Sequence, residues 1–333
     1  MTFSSRLCAA ALLTLSSPAL AHESSQMPQY VIISFDGASF IKQWERSRAL
    51  ARKTGARFTY FLSCVYLLTP ETRELYQGPR TAAGKSNVGF GLSREEVIGR
   101  LQQIWQAREE GHEIASHACG HFDGGDWTAN EWTYEFDQFS TVLRDAWRIN
   151  GFEGEPAGWR AFADTEIVGF RAPYLATGPG LFEALALKGL LYDASTVSSG
   201  PLLPAGDAVT RFALPLIPEG PDARPVIAMD YNLYVRHSDG EERPEKADYF
   251  SERAFDAFMN AFEEEYANGR TPLQIGFHFT LMNDGAYWRT LERFAETVCS
   301  KADVRCTSYK QYIEETTPEA ATLRTVSDRS GRG

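Results

Sequence analysis

Basic charge is scarce in this chain. Its 333 residues carry 33 Lys and Arg against 44 Asp and Glu, a formal charge of -11. An acidic surface disfavours nucleic acids, anionic membranes and strongly acidic polymers as partners, and tolerates neutral or cationic ones. Long apolar runs are absent from the body of the chain, where nothing approaches the ~18 consecutive apolar residues of a membrane span. There is no internal repeat and no Pro/Ser linker that would split the body in two. Cysteine is sparse, at five residues. Against these absences stand 43% hydrophobic and 13% aromatic side chains, too many for a disordered chain and enough for an enzyme-sized core.

The first 21 residues read as a targeting segment. Arg6 precedes an apolar stretch from Leu7 to Leu15, and Ala19-Leu20-Ala21 has the small-x-small form that a signal peptidase cuts. Export to the periplasm or the outside is expected, and losing Arg6 takes the charge from -11 to -12. Cys8 leaves with the signal. Cys64, Cys119, Cys299 and Cys306 then form an even set in an oxidising compartment, with three pairings open. Cys299 and Cys306 flank a short turn and are favoured as a local bridge. For Cys119, a bridge to Cys64 and a small buried thiol both remain open. The expected organisation is a signal peptide at 1–21, a catalytic domain at 22–320 and a polar tail at 321–333.

From Gln29 onward, short strand-like runs alternate with helical stretches. Tyr30–Phe35 is a continuous apolar run, as in a strand buried on both faces. A helix is expected over Ile41–Thr54, ending at Gly55, and Ser93-Arg94-Glu95-Glu96 has the form of a capping box opening another. Strands follow at Arg57–Leu62, Glu113–Ser116, Ile167–Phe170, Leu191-Tyr192, Leu273–Phe277 and Val304–Thr307, with helices between. Alternation of this kind implies an α/β fold, a distorted and incomplete (β/α) barrel of parallel strands. Barrel chemistry sits where strands end. At those ends stand Asp36, His117 and His121, then Arg171, Pro173 and Tyr174, then Asp193 and His278. His117 and His121 are four apart, which on a helical turn places both imidazoles on one face to chelate an ion such as Zn²⁺.

This set resembles the polysaccharide deacetylases, the carbohydrate esterase family four with NodB homology. Ser34-Phe35-Asp36-Gly37 is similar to its T-F-D-D motif, and His117-Ala118-Cys119-Gly120-His121 to its H-[ST]-x-x-H motif. Arg171-Ala172-Pro173-Tyr174 matches R-x-P-[YF], Tyr192-Asp193-Ala194-Ser195 resembles the fourth motif, and Ile275-Gly276-Phe277-His278 the last. The likeness spans roughly residues 29 to 315 and looks closest to the chitin-deacetylase-like branch. It implies metal-assisted N-deacetylation of an N-acetylated glycan, chitin-like or peptidoglycan, with a divalent metal, zinc first. Asp36 would be the base, His117 and His121 metal ligands, Arg171 the partner that keeps Asp36 ionised, and His278 the acid. The Tyr174 backbone N–H would hold the oxyanion, while Trp127 and Asp193 are the candidates for touching substrate.

One position departs from the family pattern. Gly37 stands where the second Asp would supply a third metal ligand. Either Asp36 turns to the metal, or Asp123 or Asp126 substitutes, or the site binds metal weakly. The last case leaves a non-catalytic carbohydrate-binding protein on the same barrel as the alternative to an enzyme, with a hydrolase of small linear amides as a third reading.

Overall fold

The computed structural model describes residues 27–317. The signal segment at 1–21 and the tail at 321–333 lie outside them. Strand β1 (Gln29–Gly37) is buried along nearly its whole length. Its side chains alternate as a strand requires: Val31, Ile33 and Phe35 pack outward against the helical layer, and Tyr30 and Ile32 pack inside the barrel. The same two-residue period puts Ser34 and Asp36 on the inner face. Helix α1 (Ile41–Thr54) stops where Gly55 adopts φ 74°, a left-handed cap that costs glycine nothing.

There follow β2 (Thr59–Leu62), α2 (Arg94–Glu109), β3 (Glu113–Ser116), α3 (Ala129–Ile149), α4 (Trp159–Thr165), β4 (Gly169–Phe170), α5 (Pro179–Leu187) and β5 (Tyr192–Ser198). After them come β6 (Thr210–Glu219), β7 (Arg224–Ile227), α6 (Asp230–Ser238) and α7 (Ala247–Ala267). Strand β8 (Leu273–His278), α8 (Met282–Val298), β9 (Val304–Thr307) and α9 (Tyr309–Thr316) complete the described chain. The sheet order is β7-β6-β5-β4-β3-β2-β1-β8, with β9 added beside β1.

Its pairings are parallel except between β6 and β7, which are antiparallel and depart from the all-parallel expectation. A short turn at 220–223 joins these two strands, and so short a connection permits only an antiparallel return. The sheet thus curls into an incomplete barrel. Across its gap, the Gly276 N–H of β8 donates to the Ala228 carbonyl just past β7, at 2.9 Å. A Cβ on Gly276 would stand 2.6 Å from the Met229 Cε atom, so a larger residue there would have to displace the end of that side chain.

The expected capping box at Ser93 is half formed. Ser93 Oγ accepts from the Glu96 N–H at 3.2 Å, but the Glu96 carboxylate accepts from Leu92 and pairs with Arg100 instead. A complete box opens α3 at Thr128 and Glu131. Both disulfides are present, Cys299–Cys306 and Cys64–Cys119. The first closes a loop with a sequence separation of 7. Replacing both of its cysteines by Ala should lower unfolding stability by about 2 kcal/mol, from the loop-closure entropy returned to the unfolded chain. Urea unfolding measures it, and an unchanged midpoint would contradict that role.

Candidate active site

Five side chains named from the sequence meet at the C-terminal end of the barrel. Asp36 ends β1 and His278 ends β8, and the two are paired residues on adjacent parallel strands. Neighbouring strands lie about 4.8 Å apart, so the register alone brings the carboxylate and the imidazole together. Arg171 follows β4 and reaches across the barrel interior. Its Nη1 donates to Asp36 Oδ1 at 2.8 Å and to Ser34 Oγ at 2.9 Å. Its Nε donates to the Ala194 carbonyl at 3.0 Å and its Nη2 to the Tyr309 hydroxyl at 2.7 Å. The guanidinium also lies 4.4 Å from the centre of the Phe61 ring. With both charges buried, the pair is fixed in one geometry.

His117 follows β3, and its Nδ1–H donates to the Arg171 carbonyl at 2.8 Å, leaving Nε2 for the cleft. Its ring centre lies 5.0 Å from that of His121. The turn between them is not helical, contrary to expectation: Ala118 and His121 both take φ 56°. The imidazoles are brought together by this left-handed turn rather than by a helix face. His278 Nδ1–H donates to Asp230 Oδ1 at 2.7 Å, while its backbone N–H donates to Asp230 Oδ2 at 2.7 Å. Both oxygens of a fully buried carboxylate thus hold one histidine.

Asp230 is the functional residue that the sequence reading missed. It opens α6, in a stretch where neither α6 nor the β6–β7 hairpin was recognised. Asp193 was named as a candidate for touching substrate. It is fully buried and accepts from Ser195 Oγ and the Ser195 N–H. It acts indirectly, because Ser195 Oγ accepts from the Ala172 N–H at 2.8 Å and so props the turn carrying Tyr174. Trp127, the other candidate, is only 6% exposed and packs edge-on against Trp132, within the cluster over Phe170.

The electrostatics separate the two titrating groups. Burial pushes the Asp36 pKa up, but the charges of Arg171, His117 and His278, with the Arg171 hydrogen bond, outweigh it and leave Asp36 below its ordinary value. For His278, burial pulls downward, and the charge and hydrogen bond of Asp230 with the charge of Asp36 more than reverse it. Asp36 therefore stays ionised and His278 stays protonated over a shared pH range, which is the condition for a base and an acid to act together. Burial holds His121 low, at about 3, so its ring is neutral.

A metal would find two nitrogen donors here. The buried His121 Nδ1 has no hydrogen-bond partner among the described residues, as a nitrogen awaiting a ligand would. The third donor is missing. Among the described residues no group of three or more His, Cys, Asp or Glu is placed to hold a metal ion. Asp36 is tied to Arg171, Asp126 is exposed and tied to Arg80, and Asp123 is exposed and accepts from the Gly125 N–H. These residues do not fit the three-ligand arrangement usual for catalytic zinc.

Two measurements follow from this geometry. Asp230→Asn removes the charge that raises His278, so the His278 ring should titrate at lower pH in the variant than in the wild type. NMR titration reads it, and an unmoved midpoint would contradict the pairing. Gly37→Asp should tighten zinc binding. Outer partners of metal ligands change affinity about 10–100-fold, so a carboxylate bound directly should gain at least as much. The nearest atom to a Cβ there is Tyr66 Cε2 at 3.9 Å, so there is room for the side chain, though the local φ of +82° makes the substitution strained. Equal zinc affinity by calorimetry would mean that the carboxylate does not reach the imidazoles.

No family model matches the sequence, and no curated protein sequence does either. Solved structures do match. A Mycobacterium smegmatis protein assigned as a polysaccharide deacetylase superposes with a TM-score of 0.54 at 16% identity, over 92% of this chain and 94% of that one. A Pseudomonas aeruginosa PAO1 protein assigned as a polysaccharide deacetylase does so at 0.50 and 15%, over 87% and 91%. At such identities the likeness is one of architecture. The chain has the polysaccharide deacetylase fold.

Proposed function

We propose that this protein hydrolyses the acetamide bond of an N-acetylated glycan, chitin-like or peptidoglycan, releasing acetate and a free amine on the sugar. One observation carries this more than any other: a buried carboxylate–guanidinium pair, Asp36–Arg171, stands in register beside an imidazole–carboxylate pair, His278–Asp230. In the step this supports, Asp36 takes a proton from water as the oxygen bonds to the acetyl carbon. The Tyr174 backbone N–H, on a turn held at φ 58°, would face the developing oxyanion. The Nε2–H of His278 then protonates the leaving nitrogen as the C–N bond breaks. Water supplies both hydrogens, and the acetate carries its oxygen.

Exposed aromatic faces suit a sugar substrate. Tyr174 is 58% exposed with its ring centre 4.8 Å from that of His121, and Tyr231 is 52% exposed with its ring centre 6.1 Å from that of His278. They join Trp127 as candidates for stacking on substrate. Two disulfides accord with an exported protein. Among the described residues no helix is long and apolar enough to cross a membrane.

His117 and His121 are where a divalent ion, zinc first, would bind, but with two donors no step is drawn through it. That shortfall also favours a second reading, a glycan-binding protein on the same barrel without turnover. Acetate release from N-acetylglucosamine oligomers separates the two. Turnover is expected, with His278→Ala lowering kcat by about 10²–10⁴ and leaving KM within a few-fold, because a general acid acts mainly in the transition state. Oligomer binding without acetate release would leave the binding protein.

A further inference from the structure

We propose that Glu135, a buried carboxylate of α3, is the positioning residue that holds the His117–His121 turn in its active shape. Glu135 is fully buried, and no step drawn above uses it. Its Oε1 accepts from two successive backbone N–H groups inside the turn, Cys119 at 2.8 Å and Gly120 at 3.0 Å. The Tyr76 hydroxyl donates to the same carboxylate, 2.9 Å from Oε2. The left-handed residues Ala118 and His121 bracket the two N–H groups and aim them at one point. Successive N–H groups turned inward in this way form an anion-binding concavity, and here an internal carboxylate fills it.

The surroundings leave little slack. A Cβ on Gly120 would lie 2.3 Å from the Tyr76 hydroxyl oxygen, so glycine lets that tyrosine reach Glu135. Cys119 is tied to Cys64 by the disulfide, and the Cys64 N–H donates to the Ala118 carbonyl at 3.3 Å. The bridge therefore fixes where the turn sits, and Glu135 fixes which way its amides face. Two left-handed non-glycine residues in a five-residue stretch are strained, and such strain persists where surrounding bonds enforce it.

The inference rests on the proposed role of this turn in the site, so its test carries a readout that does not need turnover. Ring ¹H–¹⁵N NMR spectra of the wild type, Glu135→Gln and Glu135→Ala are compared, with acetate release from the same oligomers alongside. The Gln amide oxygen can accept both N–H groups, whereas Ala leaves both of them and the Tyr76 hydroxyl without this partner. Glu135→Ala should move the ring signals of His117 and His121 while those of His112, His237 and His278 stay in place. Displacements near 1 Å cost about 100-fold, so kcat should fall between about tenfold and 100-fold in Glu135→Ala and recover to within a few-fold in Glu135→Gln. If Glu135→Ala does not fold, Tyr76→Phe removes a single donor and should shift the same two rings by less. Unmoved His117 and His121 signals, or equal shifts in His112, His237 and His278, would overturn the proposal. Absent turnover in the wild type would count against the function alone, and the spectra would still decide the role of Glu135.

Discussion

The ion pair between Asp36 and Arg171 is the constraint around which the barrel is arranged. Both groups are buried, and burying an ion costs several kcal/mol even after the protein relaxes. Their attraction, on the order of 4 kcal/mol at the effective dielectric that suits such sites, does not by itself repay two such penalties. What makes the arrangement tolerable is the company each ion keeps. Arg171 donates to Ser34, Asp36, Ala194 and Tyr309, which draws β1, β5 and α9 onto one planar group. An interaction of this kind contributes little net stability and a great deal of geometry. Its carbonyl sets the tautomer of His117, so the same residue orients the base and one imidazole.

Around that centre the site uses one device three times, a buried carboxylate that accepts backbone and side-chain donors together. Asp230 grips the ring and the backbone N–H of His278. Glu135 grips two amides of the histidine turn and the Tyr76 hydroxyl. Asp193, through Ser195, props the turn of Tyr174. Asp230 bonds directly to a group named for the chemistry, whereas Glu135 and Asp193 act through the turns that carry such groups. Positioning is thus delegated to side chains that never meet the cleft.

Much of this was legible in the sequence because β1 to β5, β8 and β9 announce themselves. Apolar runs such as Tyr30–Phe35 mark buried strands, and Asp36, His117, Arg171 and His278 each stand at the C-terminal end of one, with His121 four residues past His117. Asp230 was not legible. It follows the hairpin β6–β7, where Pro215, Pro218 and Pro225 and the exposed edge residue Arg224 break up the strand pattern that would have pointed to it. The left-handed backbone between His117 and His121 was equally hidden, since Ala118 carries no sequence mark of it. Glu135 did leave a signal: it sits on the apolar stripe of α3 with Trp132, Phe136 and Phe139, where a charged side chain needs a partner. Gly37 was read for what it lacks, and the donor set around it is short by that one carboxylate.

The central claim is that Asp36 remains an ionised base in a buried place because Arg171 holds it there. A group whose folded pKa lies below its unfolded value adds stability above the unfolded value and loses it as pH falls through the folded one. For Asp36 the loss therefore belongs to strongly acidic solution, below its ordinary value of 3.8. Carbon-13 NMR of the labelled Asp36 carboxyl, followed as pH is lowered, measures this directly. The account predicts a carboxylate that is still ionised at pH 3.8. Titration at or above that value would mean that burial outweighs the guanidinium, and that Asp36 is not the base.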